Sequence, residues 1–146
     1  MLRGNYPATV DGKGRLKIPT AFKTYIDETF GPDFYITSLD GQSVRVYPFN
    51  VWRGIEEKLA ALPSMNKAKK KFLDRTNYWG QMAKMDGQGR VLIPSTLRES
   101  AAMRGEVAVL GYLDRLDVWN QDRYREYLEH EAFTDEDMQG LSDLGI

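Results

Sequence analysis

The sequence predicts a mainly β fold with flanking helices (α+β), in which two tandem repeats close into one pseudo-two-fold barrel. Three observations carry that expectation. The stretch ATVDGKGRLKIP at 8–19 returns as AKMDGQGRVLIP at 83–94, with seven of twelve aligned residues identical; chance would supply about one such match. A second correspondence, offset by 72 residues instead of 75, lays FYITSLDGQSVRVYP (34–48) over EVAVLGYLDRLDVWN (106–120). Finally, one such unit has too little surface to bury its own sheet, whereas two units closed on each other remove the exposed edges.

Each half is expected to read strand, turn, strand, short helix, hairpin, helix. After the first turn Leu16 and Ile18 alternate with Arg15 and Lys17, so that strand buries one face and displays the other. Pro19 and Pro94 open short helices, PTAFKTYIDETFG and PSTLRESAAMRG. Proline suits a first helical turn because its missing N–H would have no partner there. Gly31 and Gly105 read as the C-terminal stops. In 34–48 and 106–120, β-branched and aromatic residues flank short polar turns, the pattern of a hairpin. Helices follow at 50–62 and 122–133, with Asn50 and Asp122 as matched N-cap candidates.

Trp52, Ile55, Leu59 and Leu62 make one apolar face on the first of these helices; Tyr124, Tyr127 and Leu128 do so on the second. Pro63 ends the first, residues 66–79 read as a connecting helix, and the acidic tail TDEDMQGLSDLGI reads as mobile. The resulting division is repeat 1 at 5–51, connecting helices at 52–79, repeat 2 at 80–123, and a C-terminal helix with acidic tail at 124–146.

The 146 residues include no cysteine, which removes disulfides, thiol catalysis and thiolate metal sites together. A chain of this length buries roughly two-thirds of its unfolded surface and needs no staples. No apolar run approaches a membrane span, and MLRGNYPATV has no signal-peptide pattern, so a cytoplasmic protein is expected. The net charge of −1 conceals an asymmetry: residues 121–146 carry a net −6 and the rest a net +5. Within residues 1–24, Arg3, Lys13, Arg15, Lys17 and Lys23 face Asp11 alone. A basic body with an acidic tail suits a polyanion binder that limits its own stickiness, although charges also cluster on ordinary solvated faces.

In VDGKGR, Gly12 and Gly14 (Gly87 and Gly89 in the second copy) let the backbone turn sharply between strands. Asp11 and Asp86 sit where they accept hydrogen bonds from turn N–H groups or from Arg15 and Arg90. Two readings compete. In one, aspartate and arginine pair and lock the barrel. In the other, aspartate orients an arginine fork toward phosphates or guanine edges. The copies differ informatively: Lys13 becomes Gln88 and Lys17 becomes Leu92. The first copy displays Lys13, Arg15 and Lys17 to something anionic, whereas Leu92 suggests that the second copy's outer face meets protein.

DGKGRLKIP and DGQGRVLIP resemble the AbrB/SpoVT-type turn motif. The tandem duplication, the opening RG, the phrase LPSMN and the hairpin ending VYP together resemble the MraZ family of bacterial transcriptional regulators, up to about Tyr127. That resemblance implies a double-split or swapped-hairpin barrel, assembly of several chains into a ring, and binding to short direct repeats in double-stranded DNA. It also implies a site upstream of a division and cell-wall gene cluster that includes the regulator's own gene, and hence association with the nucleoid. The family's D-x-x-x-R signature falls on Asp11–Arg15 and Asp86–Arg90. The DNA-contacting candidates are Lys13, Arg15, Lys17 and Arg3.

Other sites are weaker. His130 lies between Glu129 and Glu131 on an amphipathic helix and reads as solvated surface, so no metal site is expected. GKG lacks the spacer and the trailing Lys-Ser/Thr of a phosphate-binding loop. Lys67, Lys69, Lys70 and Lys71 read as a solvated face, while Tyr47, Trp52 and Trp119 read as packing. No cofactor or catalytic constellation emerges, so a non-enzymatic DNA-binding regulator is the leading expectation. The alternative is a ring-forming scaffold that binds protein; steep salt dependence of binding separates the two.

Overall fold

The computed structural model describes residues 1–146. The elements run β1 (Asn5–Val10), β2 (Arg15–Lys17), α1 (Thr20–Thr29), β3 (Asp33–Thr37), β4 (Val44–Pro48), α2 (Phe49–Ala60) and α3 (Lys67–Tyr78). The second half continues with β5 (Gln81–Lys84), β6 (Arg90–Leu92), α4 (Ser95–Ser100), β7 (Gly105–Tyr112), β8 (Arg115–Asn120), α5 (Gln121–His130) and α6 (Asp135–Ser142). The strands lie in the order β5-β3-β4-β8-β7-β1-β2-β6, every neighbouring pair antiparallel. The two outermost strands, β5 and β6, are joined by the second glycine turn, where Asp86 N–H donates to the Arg90 carbonyl at 2.9 Å. The sheet therefore returns on itself as a nearly closed eight-stranded barrel with helices around it.

The repeats are interleaved. β1 pairs with β7 and β5 with β3, so each turn hairpin docks on the other repeat's second hairpin. The pseudo-two-fold axis leaves the barrel at two opposite places. At one, Leu16 opposes Val91 between β2 and β6. At the other, Arg45 opposes Asp117 between β4 and β8.

Alternation sets the core. Leu16, Ile18, Val91 and Ile93 point inward from the turn strands to meet Phe34, Ile36, Val44, Val46, Val107, Val109, Leu116 and Val118, all fully buried. Each such side chain contributes about 1.5–3 kcal/mol on burial. Exposed ion pairs contribute far less. Packing, not ion pairing, therefore holds the barrel closed.

Several boundaries differ from the expectation. Helix α4 is stopped just past its Ala101 C-cap by Ala102, which adopts φ +53° without glycine, while Met103 N–H donates to the Arg98 carbonyl at 2.9 Å. Gly105 already belongs to β7, so it is not the stop. Gly31 does end α1, at φ +93° with its N–H on the Ile26 carbonyl. The N-cap of α5 is Asn120, whose side chain accepts from Asp122 and Arg123 N–H, and α2 begins after Pro48 with no side-chain cap. Asp122 and Asn50 are thus inside their helices. The acidic tail is not structureless: Thr134 and Asp137 form a reciprocal capping box that starts α6.

The two long helices are also unequal. Trp52 on α2 stacks between Tyr35 (4.6 Å) and Phe72 of α3 (6.1 Å) and is buried. On α5, Tyr127 stacks on Trp119 and Tyr124 packs against it at a tilt, yet Tyr127 and Leu128 remain exposed, because nothing plays the part of α3 there. No helix is long and apolar enough to cross a membrane.

Candidate nucleic-acid interface

The two glycine turns are built alike. Asp11 Oδ1 accepts the N–H groups of Lys13 (3.0 Å) and Arg15 (2.9 Å), and Oδ2 accepts Arg15 Nε at 2.8 Å. In the second turn, Asp86 Oδ1 accepts from Gln88 (2.9 Å) and Arg90 (3.0 Å), and Oδ2 accepts Arg90 Nε at 2.9 Å. Gly14 at φ +86° and Gly89 at φ +77° close the turns in a conformation that side chains rarely adopt.

The backbone N–H of the arginine, foremost, holds each aspartate below the usual value of 3.8, helped by the arginine side chain and by the N–H of Lys13 or Gln88. Each guanidinium is engaged through Nε alone. The two terminal nitrogens of Arg15 and of Arg90 make no hydrogen bond within the chain and remain free to grip a ligand.

The interleaved fold brings the turns together. Ile18 N–H donates to the Gly89 carbonyl at 2.9 Å, and Ile93 N–H to the Gly14 carbonyl at 3.0 Å, so each turn is pinned by the other repeat's strand. In the same register Arg15 opposes Leu92 and Lys17 opposes Arg90. Directly opposed residues share a face, and Leu16 and Val91 between them are buried, so all four point outward. Lys17 Nζ donates to the Gln88 carbonyl of the neighbouring turn. The expected separation into an anion-facing copy and a protein-facing copy disappears: Leu92 belongs to the same surface as Arg15.

Two further basic residues join this face, and sequence reasoning passed over them as site residues. Lys23 and Arg98 hold equivalent positions on α1 and α4, and each reaches across to the opposite turn. Arg98 Nη1 donates to the carbonyls of Lys13 (3.3 Å) and Ile93 (3.2 Å) and lies where a Cβ on Gly14 would be, 1.4 Å from it. The Lys23 stem lies 3.0 Å from the corresponding position on Gly89, while its Nζ pairs with Asp27 at 2.6 Å. Their equivalence under the 75-residue offset was the available signal; their convergence needed the strand exchange.

Not every expected residue joins this face. Arg3 lies at the opposite end of β1 from its turn, where Leu2 bridges to Leu113 and Gly4 accepts the Gly111 N–H. Of the α3 lysines, Lys67, Lys70 and Lys71 are exposed, with Lys70 paired to Asp74, while half-buried Lys69 donates to the Leu62 carbonyl at 3.0 Å. Exposed His130 makes its one side-chain hydrogen bond with the Glu126 carbonyl, at 2.9 Å, and Trp119 is a half-buried surface aromatic, unlike buried Tyr47 and Trp52.

The exchanged hairpins and their paired aspartate–arginine turns define a swapped-hairpin double-repeat barrel with one basic face on its pseudo-two-fold axis. The MraZ family model matches residues 1–75 and 81–142. A protein of Acidobacterium capsulatum named transcriptional regulator MraZ is 51% identical over 146 residues, covering all of both chains. Relatives with the same name from Koribacter versatilis and Pediococcus pentosaceus are 50% and 35% identical, again over the full length of both chains. The chain belongs to the MraZ family.

Proposed function

We propose that the chain is a transcriptional regulator that binds double-stranded DNA through the β2–β6 face. The observation that carries this reading is the register of that face. Lys17 stands directly opposite Arg90, next to the Arg15 position, with Arg98 and Lys13 alongside. Like charges placed opposite each other destabilise a sheet, and a polyanion laid across them removes that cost. The acidic groups within the turns, Asp11 and Asp86, are consumed in holding them. The relatives' name, transcriptional regulator, agrees with this chemistry.

On this reading Arg15 and Arg90 supply guanidinium forks and Lys13 and Lys17 neutralise phosphates. Asp11, Asp86 and the turn glycines Gly12, Gly14, Gly87 and Gly89 keep the forks aimed. The protein works in the cytoplasm, on the nucleoid, as a ring of several copies that engages direct repeats upstream of its own gene and the adjoining division and cell-wall genes. The test is a footprint on that upstream DNA combined with binding across a salt series. A repeat-spaced footprint whose affinity falls steeply with salt is expected. Binding that ignores salt and leaves no footprint refutes the reading in favour of a protein-binding scaffold.

A further inference from the structure

The outward face of the β2–β6 ribbon departs from its own symmetry at one place. The pseudo-two-fold relates Arg15 to Arg90 and Lys17 to position 92, where leucine stands. Leu92 is 52% exposed, directly opposite Arg15 and on the same face as Lys17 and Arg90. An exposed leucine framed by cations is out of place on a surface that serves only to neutralise phosphates. The major groove admits a two-stranded ribbon, and its one apolar feature is the thymine C5-methyl group.

The geometry points to Leu92 as a specificity-determining residue that packs on a thymine methyl beside the base or phosphate held by Arg15. This inference rests on the DNA-binding reading and deepens it. It makes the recognised element directional, because one end of the ribbon presents Arg15 beside an apolar contact and the other presents Arg90 beside Lys17. Substitution of Leu92 carries little folding cost, since half of the side chain is exposed and Val91 and Ile93 carry the core on either side of it.

The experiment starts from duplexes enriched by the full chain from a random-sequence pool. Thymines in the enriched site are replaced one at a time by deoxyuridine, which removes only the methyl group. Binding is then measured for the parent, Leu92→Ala and Leu92→Lys. One thymine is expected to cost the parent about three- to fivefold on demethylation, the worth of about one buried methyl. The same replacement should cost Leu92→Ala nothing. Leu92→Lys should bind random duplex more tightly and lose that base preference.

If an enriched, Arg15-dependent site exists but no thymine is coupled to residue 92, the inference is overturned while the DNA-binding reading stands. If the pool yields no enriched sequence, the DNA-binding reading falls and the inference with it.

Discussion

Alanine placed at the two equivalent glycines separates backbone strain from the cross-repeat contact of Arg98. Gly14 and Gly89 have similar positive φ values, +86° and +77°, so both substitutions bear the same left-handed strain, about 1–2 kcal/mol. Their surroundings differ. At Gly14 the new Cβ would lie 1.4 Å from Arg98 Nη1, so the guanidinium must swing away and release the Lys13 and Ile93 carbonyls. Two hydrogen bonds of ordinary worth add about 1–2 kcal/mol to the cost.

At Gly89 the nearest atoms are the Lys23 Cε and Cδ at 3.0 and 3.1 Å, the flexible end of a chain that gives way cheaply. With about 2–4 °C lost per kcal/mol in a chain of this size, Gly14→Ala should melt roughly 5–15 °C below the parent and Gly89→Ala roughly 2–8 °C below. The decisive assay is calorimetry of both variants with and without Arg98→Ala. In that background the excess cost at Gly14 should vanish. Equal costs at the two glycines, or an excess that survives removal of Arg98, refute the placement of Arg98 over the first turn.

Other outcomes follow from the same face. Lys13→Gln combined with Lys17→Leu, which makes the first copy resemble the second, should weaken DNA binding. It should also flatten the slope of log affinity against log salt by about one unit for each lost phosphate contact. Deleting residues 134–146 removes Asp135, Glu136, Asp137 and Asp143 and moves the formal charge from −1 to +3. Random-sequence duplex should then bind more tightly, with a gain that shrinks as salt shortens the reach of charge.

Asp11 and Asp86 should titrate below 3.8 in carboxyl NMR. Because their folded values are depressed, the stability they supply is full above the unfolded value. It should be lost as pH falls from about 4 through the folded value, loosening the turns before the core melts. Midpoints at or above 3.8 would show that the carboxylates do not hold the turns.

The local parts of this structure were legible in the sequence because their causes are local. Asp11, two glycines and Arg15 lie within five consecutive residues, and their hydrogen bonds close within that span. Leu16 and Ile18 alternate with Arg15 and Lys17, and the strand buries and exposes them accordingly. What could not be read was set by strand exchange. Nothing near Arg98 says that its partner is the Lys13 carbonyl, 85 residues away. Leu92 looked like a separate protein-facing surface because its pairing with Arg15 is invisible until β2 and β6 are known to be neighbours.

End effects were misread for another reason. Asp122 and Asn50 are good caps by type, yet the hairpins deliver the chain to the helix one or two residues earlier. Ala102 takes a left-handed conformation that composition assigns to glycine. The tail's charge suggested mobility, but Thr134 and Asp137 at capping-box spacing outweigh it locally.

The central claim is that the aspartate-tethered arginine faces DNA instead of locking the barrel. Its most direct test is Arg15→Ala, with affinity for the enriched duplex and the melting temperature measured on the same preparation. Arg15 bonds to the rest of the chain only through the Asp11 carboxylate and its own backbone, and 31% of its side chain is exposed. The buried core therefore keeps the variant folded, with melting within a few degrees of the parent. Specific affinity should fall about fivefold or more, since a bidentate base contact is worth about 1–3 kcal/mol. A variant that melts far below the parent, or that binds the enriched duplex as tightly as before, contradicts the account.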